Sequence, residues 1–62
     1  MKVTITKYTK SEIASIQYGE DPTTRTYNFN DITISNSFAD ELIRLIELKA
    51  EITVITKEFV DN

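Results

Sequence analysis

The sequence contains no cysteine and no histidine among its 62 residues. Without cysteine, neither a disulfide framework nor a thiolate zinc site can stabilise so short a chain. Without histidine, the commonest general base and the commonest transition-metal ligand are missing. These absences exclude most of the usual catalytic and metal-binding arrangements, and we expect no cofactor and no metal.

Glycine and proline occur once each, and the chain has no long apolar run. The composition therefore does not match collagen-like or low-complexity chains. The apolar runs are far shorter than the roughly 20 residues that a transmembrane helix needs. The first residues, Met1 to Thr6, alternate like a strand and lack the apolar stretch and cleavage site of a signal peptide. We therefore expect a cytoplasmic protein that does not act in a membrane.

The charge balance is mildly acidic, with seven basic and ten acidic residues and a net charge of −3. This sign is unfavourable for a protein that binds the phosphate backbone of a nucleic acid. With 40% hydrophobic and 27% charged residues, the chain is typical of a soluble globular protein. Its length allows one domain, which we place at residues 1–62.

Alternation of β-branched and aromatic residues predicts strands at about residues 2–9, 24–35 and 52–60. Within the second of these, the polar residues around Asn30 predict a bulge or a break before Ile32 and Ile34 resume the pattern.

The segment from Ser11 to Gly19 permits two interpretations. Ser11 could cap a two-turn helix that Gly19 ends, whereas Ala14, Ile16 and Tyr18 alternate as in a strand. We favour a strand at about residues 12–18, because so short a helix is marginal without strong packing. The following turn cluster, residues 19–23, contains both the glycine and the proline.

A helix is predicted at about residues 38–50, with Ser37 as its N-cap and Asp40 completing a short capping box. Its apolar residues fill an arc of roughly 160°, wider than the ~100° stripe of a typical surface helix. The predicted order is β-β-β-α-β, a small α+β fold with one helix packed on one face of a mostly antiparallel sheet. If the last two strands pair, the right-handed crossover places them parallel.

One helix covers only one face of such a sheet, yet the last strand carries large apolar residues on both faces. Chains of this size rarely draw more than ~3–5 kcal/mol from their own core. We therefore predict self-association, as a dimer or a higher oligomer, through apolar side chains that do not fit beneath the helix. These residues are Ile13, Tyr27, Phe29, Ile55 and Phe59.

No constellation of residues predicts catalysis. Asp40, Glu47 and Glu51 share a helix face, but that face is convex and solvated, which suits solubility and an Asp40–Arg44 pair. No serine or threonine has a histidine to activate it, and the single glycine does not form a phosphate-binding loop. The oxygen-rich stretch 28–33 lacks the spacing of a calcium loop and is better explained as a polar turn. We expect a protein that is not an enzyme.

The leading hypothesis is a small acidic interaction protein that binds itself and another protein, as an adaptor or an inhibitor. Its style of composition, short and rich in Ile, Thr, Lys, Glu and Asn, resembles the accessory proteins of phages and mobile elements. The groups expected to meet the partner protein are Glu20, Asp21, Pro22, Asp40, Arg44 and Glu47.

The alternative is a nucleic-acid-binding regulator. Its basic residues would be Lys7, Lys10 and Arg25, since a local basic stripe can exist on an acidic protein. Aromatic side chains on the sheet would stack on bases. The aromatics considered are Tyr8, Tyr18, Tyr27 and Phe29.

Overall fold

The computed structural model describes residues 1–20 and 24–58, which form four strands and one helix. The elements in chain order are β1 (Lys2–Thr9), β2 (Ile13–Tyr18), β3 (Thr24–Asn28), α1 (Ile32–Glu47) and β4 (Glu51–Glu58). The predicted α+β class and the order β-β-β-α-β are confirmed, and the ambiguous segment after Ser11 is a strand. Part of the predicted turn cluster, residues 21–23, lies outside the described residues, as do residues 59–62.

The strands form one sheet in the order β3-β2-β1-β4. β2 pairs antiparallel with both β1 and β3, whereas β4 pairs in parallel with β1. The two strands that flank the helix therefore run in the same direction but do not pair with each other. They lie at the two opposite edges of the sheet, and β1 and β2 fill the centre.

The core lies between α1 and one face of the two central strands. Val3 and Ile5 of β1, Ile16 of β2 and Leu45 of α1 are buried together. Cross-strand pairing explains this, because Ile5 lies opposite Ile16 in the β1–β2 ladder. A shell of half-buried hydrophobic residues packs around them: Tyr18, Tyr27, Phe38, Leu42, Ala50 and Ile52.

The helix begins six residues earlier than the sequence predicts. Its N-cap is Asp31, whose carboxylate Oδ1 accepts hydrogen bonds from the backbone N–H groups of Thr33 at 2.8 Å and Ile34 at 3.3 Å. The predicted cap, Ser37, lies inside the helix, and its hydroxyl donates to the Thr33 carbonyl one turn earlier. The strand predicted to reach residue 35 ends at Asn28. The break near Asn30 is confirmed, but the strand does not resume after it.

The end of the helix explains why the predicted boundary at residue 50 is also wrong. Leu48 is the C-cap, and Lys49 adopts a left-handed conformation with φ of 56°. The N–H of Lys49 donates to the Ile46 carbonyl, and that of Ala50 donates to the Leu45 carbonyl. These two bonds are the pattern of a Schellman motif, which glycine usually completes. A lysine at this position gives no sequence signal that the helix stops.

Candidate interaction surface

The sheet has one face toward the helix and one open face. Side chains alternate between the two faces along each strand, so the pairing registers show which face each strand residue occupies. Ile13 is half-buried and Ile55 is exposed, and both lie on the open face, on strands separated by β1. The rest of that face is mostly hydroxyl-bearing, including Thr4, Thr6, Ser15, Thr24, Thr26 and Thr53.

Two of the residues predicted for self-association lie beneath the helix instead. The ring of Phe38 contacts both Tyr27, with ring centroids 5.2 Å apart, and Phe29, at 4.9 Å, in edge-on geometry. The expectation that Tyr27 and Phe29 do not fit beneath the helix is therefore wrong. Phe38 belongs to the apolar arc of the predicted helix, but the sequence does not show that its ring meets the aromatic residues at the end of β3. The fifth predicted residue, Phe59, lies outside the described residues.

The two flanks of α1 differ in character. With about 100° between successive residues, Leu45 points at the sheet, while Glu41 and Arg44 lie on one flank and Ile46 on the other. The first flank faces β3, because Glu41 and Arg44 line an open cleft of about 270 Å³ together with Arg25 of that strand. The flank that carries Ile46 therefore faces β4.

Exposed hydrophobic side chains lie on α1 outside its buried stripe and on the helix side of β4. Ile46 is 66% exposed and Ile43 is 55% exposed on the helix. On β4, Val54 lies opposite the buried Ile5 of β1 and hence on the helix side of the sheet, yet it is 67% exposed. We call Ile43, Ile46 and Val54 the apolar surface; Ile46 lies on the flank toward β4, and Ile43 lies on the side of α1 away from the sheet. Single exposed hydrophobic residues are ordinary, whereas several on one small chain favour burial against another chain.

The sequence contains a partial signal for the apolar surface. The overly wide apolar arc of the helix indicated that some of these residues have no place in the core. What the sequence could not show was which residues remain outside, because that depends on where α1 lies over the sheet. Ile43, Ile46 and Val54 were therefore missed as candidates for self-association.

The residues predicted to meet a partner protein are placed on exposed positions where they are described. Asp40, Arg44 and Glu47 are exposed on α1, and Glu20 is exposed after β2. The other two, Asp21 and Pro22, lie outside the described residues. The expected Asp40–Arg44 ion pair does not form. Within residues 1–20 and 24–58, the one ion pair joins Lys10 to Glu58, with 3.9 Å between Nζ and Oε1.

Each basic residue of the nucleic-acid alternative has contacts of its own. The ammonium of Lys7 donates to the Ser11 carbonyl at 2.8 Å and lies 5.6 Å from the centre of the Phe29 ring. Lys10 is in the ion pair with Glu58, and Arg25 lies in the cleft beside Glu41. The observed contacts therefore engage each cation separately.

The oxygen-rich stretch 28–33 uses its side chains to shape the turn before α1. Asn28 Oδ1 accepts from the N–H of Asn30 at 3.0 Å, and Asp31 caps the helix. No group of three or more acidic side chains that could hold a metal ion occurs among the described residues. This stretch is a polar turn followed by a helix cap.

The fold and surface define a small α+β protein with exposed hydrophobic residues on its helix and on an edge strand. No protein-family model matches the chain, and no similar protein is found among curated proteins or solved structures. In the part of the chain that the structure describes, no helix combines the length and apolar character needed to cross a membrane. A functional conclusion therefore rests on this chain's own surface.

Proposed function

We propose that this chain is a non-enzymatic interaction protein that self-associates and acts by binding another protein, as an adaptor or inhibitor of the kind found among phage accessory proteins. The observation that carries the proposal is the apolar surface formed by Ile43, Ile46 and Val54, which are each more than half exposed. A chain of this size gains stability by burying such a patch against another copy.

The polar side of the helix supports a second contact, with a different protein. Asp40, Arg44 and Glu47 are exposed on α1, and Arg44 lies on the flank opposite Ile46. A self-associated form that buries Ile46 and Val54 therefore leaves the side of α1 that carries Arg44 and Asp40 accessible. Charged residues at an accessible rim steer encounter and select partners more than they add affinity.

Self-association is tested by measuring the mass of the chain over a range of concentrations by sedimentation equilibrium. The wild type is expected at about 14 kDa, twice the 7.1 kDa of one chain, because isologous dimers are the commonest assemblies. The double variant Ile43→Gln/Ile46→Gln is expected to weaken the dimer by at least tenfold, since each buried isoleucine contributes about 1 kcal/mol or more.

The matched control is Leu48→Gln. Leu48 is also exposed, but it lines the cleft on the β3 side of the helix. This variant should dimerise like the wild type. A wild type that stays at 7.1 kDa throughout the range, or a Leu48→Gln variant as impaired as the double variant, contradicts the proposal.

The partner is tested by affinity capture from the native host, comparing the wild type with Asp40→Lys/Glu47→Lys at equal dimer mass. We expect a specific protein to be retained by the wild type and lost with the variant. Retention of DNA or RNA that falls steeply as salt is raised would instead favour the nucleic-acid alternative.

A further inference from the structure

β4 is an eight-residue strand at the edge of the sheet, and its outer side has no neighbouring strand among the described residues. The N–H of Glu51 donates to the Met1 carbonyl at 2.8 Å, and the Lys57 carbonyl accepts from the Thr9 hydroxyl. The odd-numbered residues of β4 therefore direct their backbone groups toward β1. Because these directions alternate along a strand, Ile52, Val54 and Thr56 direct their N–H and C=O groups outward.

The two edges of the sheet differ in how well they are protected against pairing. β3 has five residues and carries the charged Arg25 within it. In β4 the charges are confined to the ends, at Glu51, Lys57 and Glu58. A long edge strand with an uncharged middle is a ready template for another strand. The edge that favours pairing is thus β4, which also carries the exposed Val54.

The charges of β4 are complementary when two copies of the strand pair antiparallel with Val54 opposite Val54. In that register Glu51 lies opposite Lys57 of the second copy, and the symmetry repeats this opposite-charge pair at the other end. Moving the axis by one residue, to Thr53, places Lys57 opposite Lys49 and leaves Glu51 opposite Ile55. Cross-strand pairs of opposite charge stabilise a sheet and like charges destabilise it, so the charges favour the axis at Val54.

The backbone directions agree with the same register. A residue whose N–H and C=O both point outward forms a hydrogen-bonded pair with the residue opposite. With Val54 on the axis, Val54 faces its own copy, and Ile52 faces Thr56 of the second copy. All of these residues direct their backbone groups outward. The outward N–H and C=O groups of β4 therefore gain hydrogen-bond partners without any change in the strand.

We propose that two copies of this chain join through antiparallel pairing of their β4 strands, centred on Val54, into one continuous eight-stranded sheet. This inference rests on the proposed function and specifies its self-association. The two-fold axis is perpendicular to the sheet, so both α1 helices lie on the same face. Val54 of each copy lies at the axis, and the flank of each α1 that carries Ile46 faces toward the paired strands.

The absence of native cysteine makes a cross-linking test unambiguous. Opposed residues of a hydrogen-bonded antiparallel pair have Cα atoms about 5.5 Å apart, within the range that a disulfide spans. In a glutathione redox buffer, Val54→Cys is expected to convert most of the chain to a covalent dimer. Thr26→Cys, on the opposite edge strand β3, is the matched control and should remain mostly monomeric under denaturation.

The pair of Glu51 and Lys57 provides a second test of the β4 pairing, and this test does not depend on cysteine chemistry. Glu51→Lys and Lys57→Glu are each expected to weaken the dimer by about tenfold, because the symmetry places two like-charge pairs in the interface. The double swap Glu51→Lys/Lys57→Glu should restore dimerisation to within about threefold of the wild type. Both residues are exposed, so these changes should leave folding intact.

The outcomes separate this inference from the proposed function. A wild type that remains monomeric overturns both. A wild-type dimer in which Val54→Cys does not cross-link, in which Thr26→Cys cross-links instead, or in which the double swap fails to restore dimerisation overturns the β4 geometry and leaves self-association standing. Cross-linking at Val54 together with restoration by the swap supports the inference.

Discussion

Replacing Leu45 with alanine is expected to unfold most of the protein at room temperature. Leu45 is 1% exposed and is the one helix residue in the buried cluster with Val3, Ile5 and Ile16. Truncating a buried leucine costs about 2–5 kcal/mol, because burial is lost and a cavity remains. A chain shorter than about 70–80 residues rarely has more than 3–5 kcal/mol from its core, so the loss approaches the whole stability.

The measurement is urea unfolding followed by far-ultraviolet circular dichroism, with Leu48→Ala as the control. Leu48 is only three residues further along the helix but is 56% exposed. An exposed substitution of this kind usually changes the free energy of unfolding by no more than about 0.5 kcal/mol. If Leu45→Ala unfolds at the same urea concentration as Leu48→Ala, the helix does not pack on the sheet as described.

Replacing Phe38 with alanine is expected to lower the free energy of unfolding by about 2–4 kcal/mol. The Phe38 ring contacts Tyr27 and Phe29 edge-on, and it packs the first half of α1 against the β3 edge. Without this ring, Tyr27 and Phe29 become more exposed to solvent, and the helix loses its aromatic contact at that edge. Phe38→Leu keeps most of the volume and should cost only about 1 kcal/mol.

Thermal unfolding at several protein concentrations distinguishes this role from one in self-association. If Tyr27 and Phe29 served mainly as contacts between copies, Phe38→Ala would leave the stability of the dissociated chain unchanged within 0.5 kcal/mol and alter only the concentration dependence. Such a result would contradict the packing of these rings beneath the helix.

The order of elements was predictable because hydrophobic and polar residues alternate strictly in most of the strands. Val3 and Ile5 alternate with threonine, and Ala14, Ile16 and Tyr18 alternate in β2. Buried partners lie opposite one another in the ladder, as Ile5 and Ile16 do. Local pattern and tertiary burial agree there, so the sequence predicted β1 and β2 to within one residue of their ends.

The start of the helix was not predictable from the same rules. Ile32 and Ile34 alternate with polar residues as a strand would, and β-branched residues are poor helix formers. In the folded chain, Asp31 caps the helix there and Ser37 merely bonds back to Thr33. Both Asp31 and Ser37 satisfy the N-cap rule, so the local sequence does not decide between the two starts.

The apolar surface could be anticipated only in outline. An excess of apolar residues is visible in the sequence, but the strand order decides which of them stay exposed. Val54 is uncovered because β4 occupies an edge of the sheet and the helix flank that carries Ile46 leaves it open. The sequence does not state that β4 pairs with β1 and lies farthest from β3.

The central claim, that β4 pairs with β4 of a second copy, is tested most directly by hydrogen exchange of its backbone amides, resolved residue by residue by NMR. Thr53 and Ile55 direct their N–H groups to β1 in every case, whereas Val54 and Thr56 direct theirs outward. If β4 pairs with itself, Val54 and Thr56 are expected to be protected comparably to Thr53 and Ile55, and this protection is expected to decline as the protein is diluted. Rapid exchange at Val54 and Thr56 at high concentration, beside slow exchange at Thr53 and Ile55, would contradict it.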